Sequence, residues 1–214
     1  MTLRPNYSAL RQLAYEKRTA YNVTTETLNL NVLRAIYKAE GIRIDPWKFP
    51  STIRAVYMCE DSDPSVAVNK TLPREPRLFS LIHELKHHYL DQQLLQNGEI
   101  RCGDYNQNQV IEIGAEVFAA EFIYPEVEFV ECVEGLGIQI GQCSAEDVVR
   151  LKRDCNACVS YAFLRKRLTR LKYAAVGSLD GIQFQKLEDQ MYGQPIYKQA
   201  WFKQRRKSRS GSML

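Results

Sequence analysis

Apolar residues recur along the first half of the chain with two distinct periods. From Tyr7 to Tyr21 and from Thr25 to Glu40 they return every three to four positions, as on one face of an amphipathic helix. Thr24 stands where a capping hydroxyl would, and Gly41 where a helix ends. The period then shortens to two. Ile42–Asp45, Ile53–Met58 and Ser65–Asn69 read as short strands, with Asp61-Ser62-Asp63-Pro64 as the turn between the last two. Helical spacing returns at Leu78, Leu81, Ile82, Leu85, Tyr89 and Leu90, after Pro76 and before Asn97-Gly98, and predicts a helix over about residues 76–96. Val110–Tyr124 predicts another, stopped by Pro125 and carrying Gly114, Ala115, Ala119 and Ala120, small residues that let helices approach closely. The expected fold class is α+β: a small antiparallel sheet feeding a long helix. The last strand is a candidate edge for pairing with an extended peptide, or simply packs on the helices.

Beyond Pro125 the pattern predicts a short acidic helix over Glu126–Glu134, then a loop marked by Gly135, Gly137 and Gly141. Ser144-Ala145-Glu146-Asp147 has the form of a capping box opening a helix through about Arg153. A further helix runs from Val159-Ser160 to Tyr173, with Leu164, Leu168 and Leu171 inward and cations outward. Two helices joined by a few residues have the outline of a helix-turn-helix, which either reads DNA or buttresses the rest. No element is predicted for Asp180–Trp201.

The chemistry lies in His83-Glu84-Leu85-Lys86-His87, which contains H-E-x-x-H. On a helix the two histidines share a face one turn apart and can reach a single Zn²⁺, with the Glu placed to take a proton from water. The chain has three histidines, at 83, 87 and 88, so all fall within or beside the motif. Asp91, four residues after His87, is placed to receive the other ring N–H of that histidine. Catalytic zinc takes three protein ligands, so a carboxylate or a thiolate is needed, and the best candidates are carboxylates downstream. Glu112 and Glu116 share a face of the Val110–Tyr124 helix among apolar neighbours, where buried carboxylates need partners. The reading is Glu112 as third ligand with Glu116 supporting it, the reverse being the alternative; Glu121 is expected to be exposed. Zn²⁺ held by His83, His87 and Glu112, one per chain, with Glu84 as base, makes residues 1–134 a zincin-like metallopeptidase domain. Residues 135–175 are then a helical appendage, and 176–214 a tail with a basic, disordered end.

The pair of helical motifs resembles the ImmA/IrrE metallopeptidases, with their gluzincin-like zinc site. The second motif stands here as Glu112-Ile113-Gly114-Ala115-Glu116-Val117-Phe118-Ala119-Ala120-Glu121-Phe122-Ile123-Tyr124-Pro125. The chain departs from that family's pattern at four places. It has Lys86 where H-E-x-G-H has Gly, and Asp91 where a further His often stands. It has Gly114 where a second Glu is common, and Glu116 where Asn or Asp is. The resemblance implies cleavage of a helix-turn-helix transcriptional repressor, often in phage, mobile-element or stress-response circuits. The rival reading, from another class, is a non-catalytic zinc-fold module that binds a repressor or DNA; Glu84 argues against it, since a scaffold needs no base.

Charge and cysteines narrow the setting. The formal charge is +4, but residues 203–212 carry five cations, so the body stands at about −1. That tail suits weak, non-specific contact with DNA or simple solubility. The six cysteines are scattered, and Cys155-Asn156-Ala157-Cys158, a lone C-x-x-C, lacks the second pair a structural zinc needs. No run is long enough for a membrane span, and the first residues lack a signal-peptide core. A cytoplasmic protein with reduced thiols is expected. His88 and Tyr105 are weak candidates for stabilising the oxyanion.

Overall fold

The computed structural model describes residues 6–60, 63–97 and 109–195. Cys102, Tyr105 and the basic stretch 203–212 therefore lie outside the described residues. Helix α1 (Tyr7–Ala20) is capped by Asn6, whose side chain accepts from Ala9 N–H. Helix α2 is Leu30–Ala39, shorter than its apolar pattern predicts. Thr24 and Thr27 instead close a local turn through reciprocal side-chain-to-amide bonds of 2.9 and 3.2 Å. Asn29 is the actual cap, accepting from the amides of Asn31 and Val32.

Strands β1 (Arg43–Trp47), β2 (Ala55–Glu60) and β3 (Asp63–Asn69) form one sheet in the order β1-β3-β2. β2 and β3 make an antiparallel pair, but β1 runs parallel to β3, so the sheet is mixed rather than purely antiparallel. Only two residues separate β2 from β3 in the sequence, too few for anything but antiparallel pairing. β1 is joined to β2 by a longer segment and enters beside β3 from the other side. β3 is thus central and has no free edge, and Val66, Ala67 and Val68 are all buried. The strand expected to meet a peptide is therefore interior; the sheet's edges are β1 and β2, and of these β2 is the one that lines the cleft described below.

The long helix is broken into pieces. α3 (Arg74–Lys86) widens at His87–Asp91 into a π-helical turn and continues as α4 (Gln92–Gln96). π turns are rare and cluster at functional sites. α5 (Gln109–Ile123) packs across α1 and α3. Its Gly114 marks the crossing: a Cβ there would sit 3.4 Å from Leu10 Cδ1 and 3.5 Å from Lys86 Cε. Beyond it come α6 (Glu126–Gly135), α7 (Ala145–Asp154), α8 (Tyr161–Arg170) and α9 (Phe184–Tyr192). α7 opens with the Ser144/Asp147 capping box, and Ser160 caps α8. α9 falls where the pattern predicts no element.

A single core runs from Leu33, Leu78 and Ile82 through Phe118 and Phe122 to Val148, Leu151 and Leu168, crossing the expected boundary near residue 135. Two buried arginines tie the parts together at the end of α5. Arg18 of α1 donates to Phe122 O at 2.6 Å, and Arg167 of α8 donates to Ala120 O at 2.8 Å. The first caps a carbonyl in the last turn of the helix, and the second shares Ala120 O with the Tyr124 N–H at 3.1 Å. Glu121, expected to be exposed, is instead drawn inward by Arg167 at 3.1 Å. No described helix is long and apolar enough to cross a membrane.

Candidate metal centre

The last turn of α3, the π turn that follows it and the first turn of α5 bring three donor groups together. His83 Nε2 lies 3.3 Å from His87 Nε2 and 3.0 Å from Glu112 Oε2, and His87 Nε2 lies 3.8 Å from Glu112 Oε1. One ligand atom from each residue falls within 4.8 Å of the others. Zinc bonds of about 2.0–2.1 Å in a tetrahedron set donor-to-donor edges of roughly 3.3 Å. The observed separations bracket that figure, and two imidazoles with a carboxylate are a donor set that zinc accepts. The residues present therefore fit the metal.

The electrostatics point the same way. Burial of the His83 ring opposes its charged form. The hydrogen bond to Glu112 and the negative charge of Glu84, Glu112 and Glu116 outweigh this and raise its pKa above the ordinary 6.5. A site that favours a proton on His83 against burial also favours a cation in its place.

Each donor is held from behind. Asp91 Oδ2 lies 2.7 Å from His87 Nδ1, which leaves Nε2 of that ring facing the cluster. The same oxygen accepts from Lys86 Nζ at 2.6 Å, and Lys86 also donates to Ile111 O at 3.2 Å. Residues five apart lie on different faces of an α-helix. The π turn, with its wider i→i+5 winding, lets Asp91 meet both Lys86 and His87. Glu84 is buried, and its Oε2 accepts the backbone N–H of Tyr57 in β2 at 2.9 Å. No sequence signal marks Tyr57 for this, because every residue but proline has that amide.

Glu116 stands elsewhere than its expected support of Glu112. One turn along α5 it faces the cleft, and its two oxygens lie 3.1 and 3.2 Å from Lys166 of α8. The α5–α8 packing supplies a cation at that turn, while the α3–α5 crossing supplies histidines at Glu112. His88 also points away from the cluster. Its Nδ1 pairs with the Tyr57 hydroxyl at 3.0 Å, and burial lowers its pKa despite Glu40 nearby. It is thus no candidate for an oxyanion donor. Cys155 and Cys158 are free thiols whose burial raises their pKa, and neither approaches the cluster.

The cluster opens to a cleft of about 420 Å³ lined by Thr52 to Val56, Ser80, His83, Glu84, Glu112 and Glu116. A family model, Peptidase_M78, the IrrE N-terminal-like domain, matches residues 25–169. The chain belongs to this family. No curated protein matches it. Membership supports a metallopeptidase-type activity, and the matched span takes in the whole sheet, both helices of the cluster and α8 up to its last residue but one. Three departures from the ImmA/IrrE pattern prove to be neighbours. Lys86 reaches Asp91 on one side and passes under Gly114 on the other, where a Cβ would just touch its Cε at 3.5 Å and a longer side chain would have to displace it.

Proposed function

We propose that the protein is a zinc-dependent endopeptidase that cleaves a regulatory protein, a helix-turn-helix repressor being the favoured substrate. The observation that carries this reading is the convergence of His83, His87 and Glu112 beside a buried carboxylate, Glu84, at the wall of an open cleft. His83 Nε2, His87 Nε2 and the Glu112 carboxylate would hold the metal. When bound, Zn²⁺ supplies Lewis-acid chemistry, acidifying a water and polarising the scissile carbonyl. Glu84, steadied by the Tyr57 amide, accepts the water proton and delivers it to the departing amine. Asp91 keeps His87 in the tautomer that offers Nε2.

Substrate alignment falls to β2. The Arg54 carbonyl accepts from Asn69 N–H at 2.8 Å, so Arg54 faces β3, whereas the Tyr57 amide turns to Glu84. Backbone groups alternate sides along a strand. Ala55 therefore turns its N–H and C=O to the same side as Tyr57, and it lines the cleft. An extended chain added there gains main-chain bonds while its carbonyl is carried toward Glu84. The cations of residues 203–212 would add weak contact with DNA, keeping the enzyme near a DNA-bound repressor.

The test is Glu84→Gln with a co-expressed repressor encoded beside the protein's own gene. The variant is expected to keep zinc and repressor binding while cleavage falls by at least about 10²–10⁴-fold. Undiminished control of the repressor by this variant would replace proteolysis with the binding-module reading.

A further inference from the structure

The cleft over the metal cluster does not end at Glu116. It opens into a larger hollow of about 570 Å³ between α1, α3, α5 and α8, and the two spaces meet at Arg54, Phe79, Glu116 and Lys166. The floor of the hollow is apolar. Ile113, Val117 and Ala120 contribute from α5, and Phe79 and Phe163 meet edge-to-face across it at 6.3 Å. A space of this size is in the range that binds organic ligands, and it readily takes a large side chain.

Its rim is cationic. Most of the bases are already paired: Arg11 with Glu126 at 2.6 Å, Lys166 with Glu116 at 3.1 Å, and Arg167 with Glu121 at 3.1 Å. Arg54 is exposed and has no carboxylate partner among the described residues, and it stands where the two spaces join. Arg170 is also exposed and, among the described residues, has no carboxylate partner; the Tyr7 ring lies beneath its guanidinium at 5.3 Å. These two guanidinia leave the rim a local positive excess in a chain whose body is otherwise slightly acidic.

We infer that this hollow is a specificity pocket taking a large apolar side chain beside the cleaved bond, with Arg54 binding an acidic residue next to it. The inference rests on the peptidase reading of the metal cluster. Arg54 immediately precedes Ala55, so a peptide laid on the β2 edge passes the guanidinium as it leaves the cleft. The apolar floor rewards a buried hydrocarbon and offers nothing to a phosphate backbone, and the paired rim leaves few cations for one. The occupant is therefore a peptide of the protein substrate rather than nucleic acid.

The zinc-loaded protein is given a randomised decapeptide pool and the cut sites are read by mass spectrometry. Large apolar residues are expected at one position beside the cut with an enrichment of about tenfold or more. Asp or Glu should follow within the next two positions, favoured about threefold or more. Arg54→Glu should turn that flanking preference to Lys and Arg. Ala162→Trp, at an exposed helix position lining the hollow, should remove the apolar preference. Cleavage with neither preference overturns the inference and leaves proteolysis standing. Binding is measured separately, by fluorescence polarisation on zinc-loaded Glu84→Gln. A Phe-Glu peptide should bind about tenfold more tightly than its Ser-Lys counterpart. Selective binding without cleavage by the unaltered protein would refute the peptidase reading alone. Equal binding of the two peptides, or displacement of the Phe-Glu peptide by random duplex DNA, overturns the pocket.

Discussion

Glu112 and Glu116 differ by one helical turn and by everything around them. Glu112 is buried within reach of both histidines, while Glu116 faces the cleft opposite Lys166. Glu112→Ala is therefore expected to lose zinc and activity together, and Glu116→Ala to retain stoichiometric zinc by metal analysis after dialysis. Zinc loss from Glu116→Ala with retention in Glu112→Ala would reverse the assignment. Protonation gives a further handle. In metal-free protein His83 is shifted up from 6.5 and His88 down. The stability from His83 is fully present below pH 6.5 and is lost as pH rises through its raised folded pKa. That from His88 is present above pH 6.5 and is lost as pH falls toward its lowered folded pKa. Melting temperature from these two groups should therefore peak near pH 6.5 without metal. Zinc should abolish the alkaline decline, since the metal replaces the proton on His83. A decline on the alkaline side unchanged by zinc would show that His83 does not hold the metal.

At the scale of elements, the site depends on how α5 crosses α3. H-E-x-x-H places His83, Glu84 and His87 by helical geometry alone, so these are legible from sequence. Glu112 needs a tertiary crossing, announced by the small residues of its helix but not resolved between two carboxylates on one face. The crossing at Gly114 brings Glu112 to the histidines and leaves Glu116 opposite Lys166. The period-two pattern predicts strands but is blind to their partners, which is why β1 enters parallel unannounced. The apolar pattern from Thr25 overestimated α2 because threonine and asparagine side chains satisfy amides outside a helix as readily as at its cap. Gly114→Leu should overpack the crossing, costing about 1–3 kcal/mol, and lower zinc affinity by moving Glu112. Urea unfolding with a zinc titration reads both, and unchanged zinc affinity in a destabilised protein would uncouple the crossing from the site. Asp91→Ala strands the Lys86 ammonium in the interior and releases His87. It should cost about 3–5 kcal/mol and weaken zinc binding about 10–100-fold.

For the molecule as a whole, the two guanidinia at the end of α5 join what the sequence pattern divides. Arg18 comes from the first helix and Arg167 from the eighth, and both close on carbonyls of the helix that carries Glu112. Burial lowers the pKa of each below the ordinary guanidinium value, yet each keeps carboxylates beside it, Glu128 for Arg18 and Glu121 for Arg167. Arg167→Met leaves Glu121 and the Ala120 carbonyl without this donor and should cost about 3–5 kcal/mol. The loss should appear in one cooperative unfolding transition shared by α1 and α8. Separate transitions for the two ends would show that residues 135–175 fold as their own unit.

The hold of Tyr57 on Glu84 has a consequence for how the protein tolerates genetic change. Because the donor is main chain, replacing the side chain at position 57 leaves it in place, and an alanine scan passes over it. Only proline deletes the amide, and only a one-residue slip of β2 turns it toward β3 and away from the base. The Glu84 carboxylate is therefore guarded against most point substitutions at its anchor, and exposed to insertions and deletions within residues 48–54 that shift the strand.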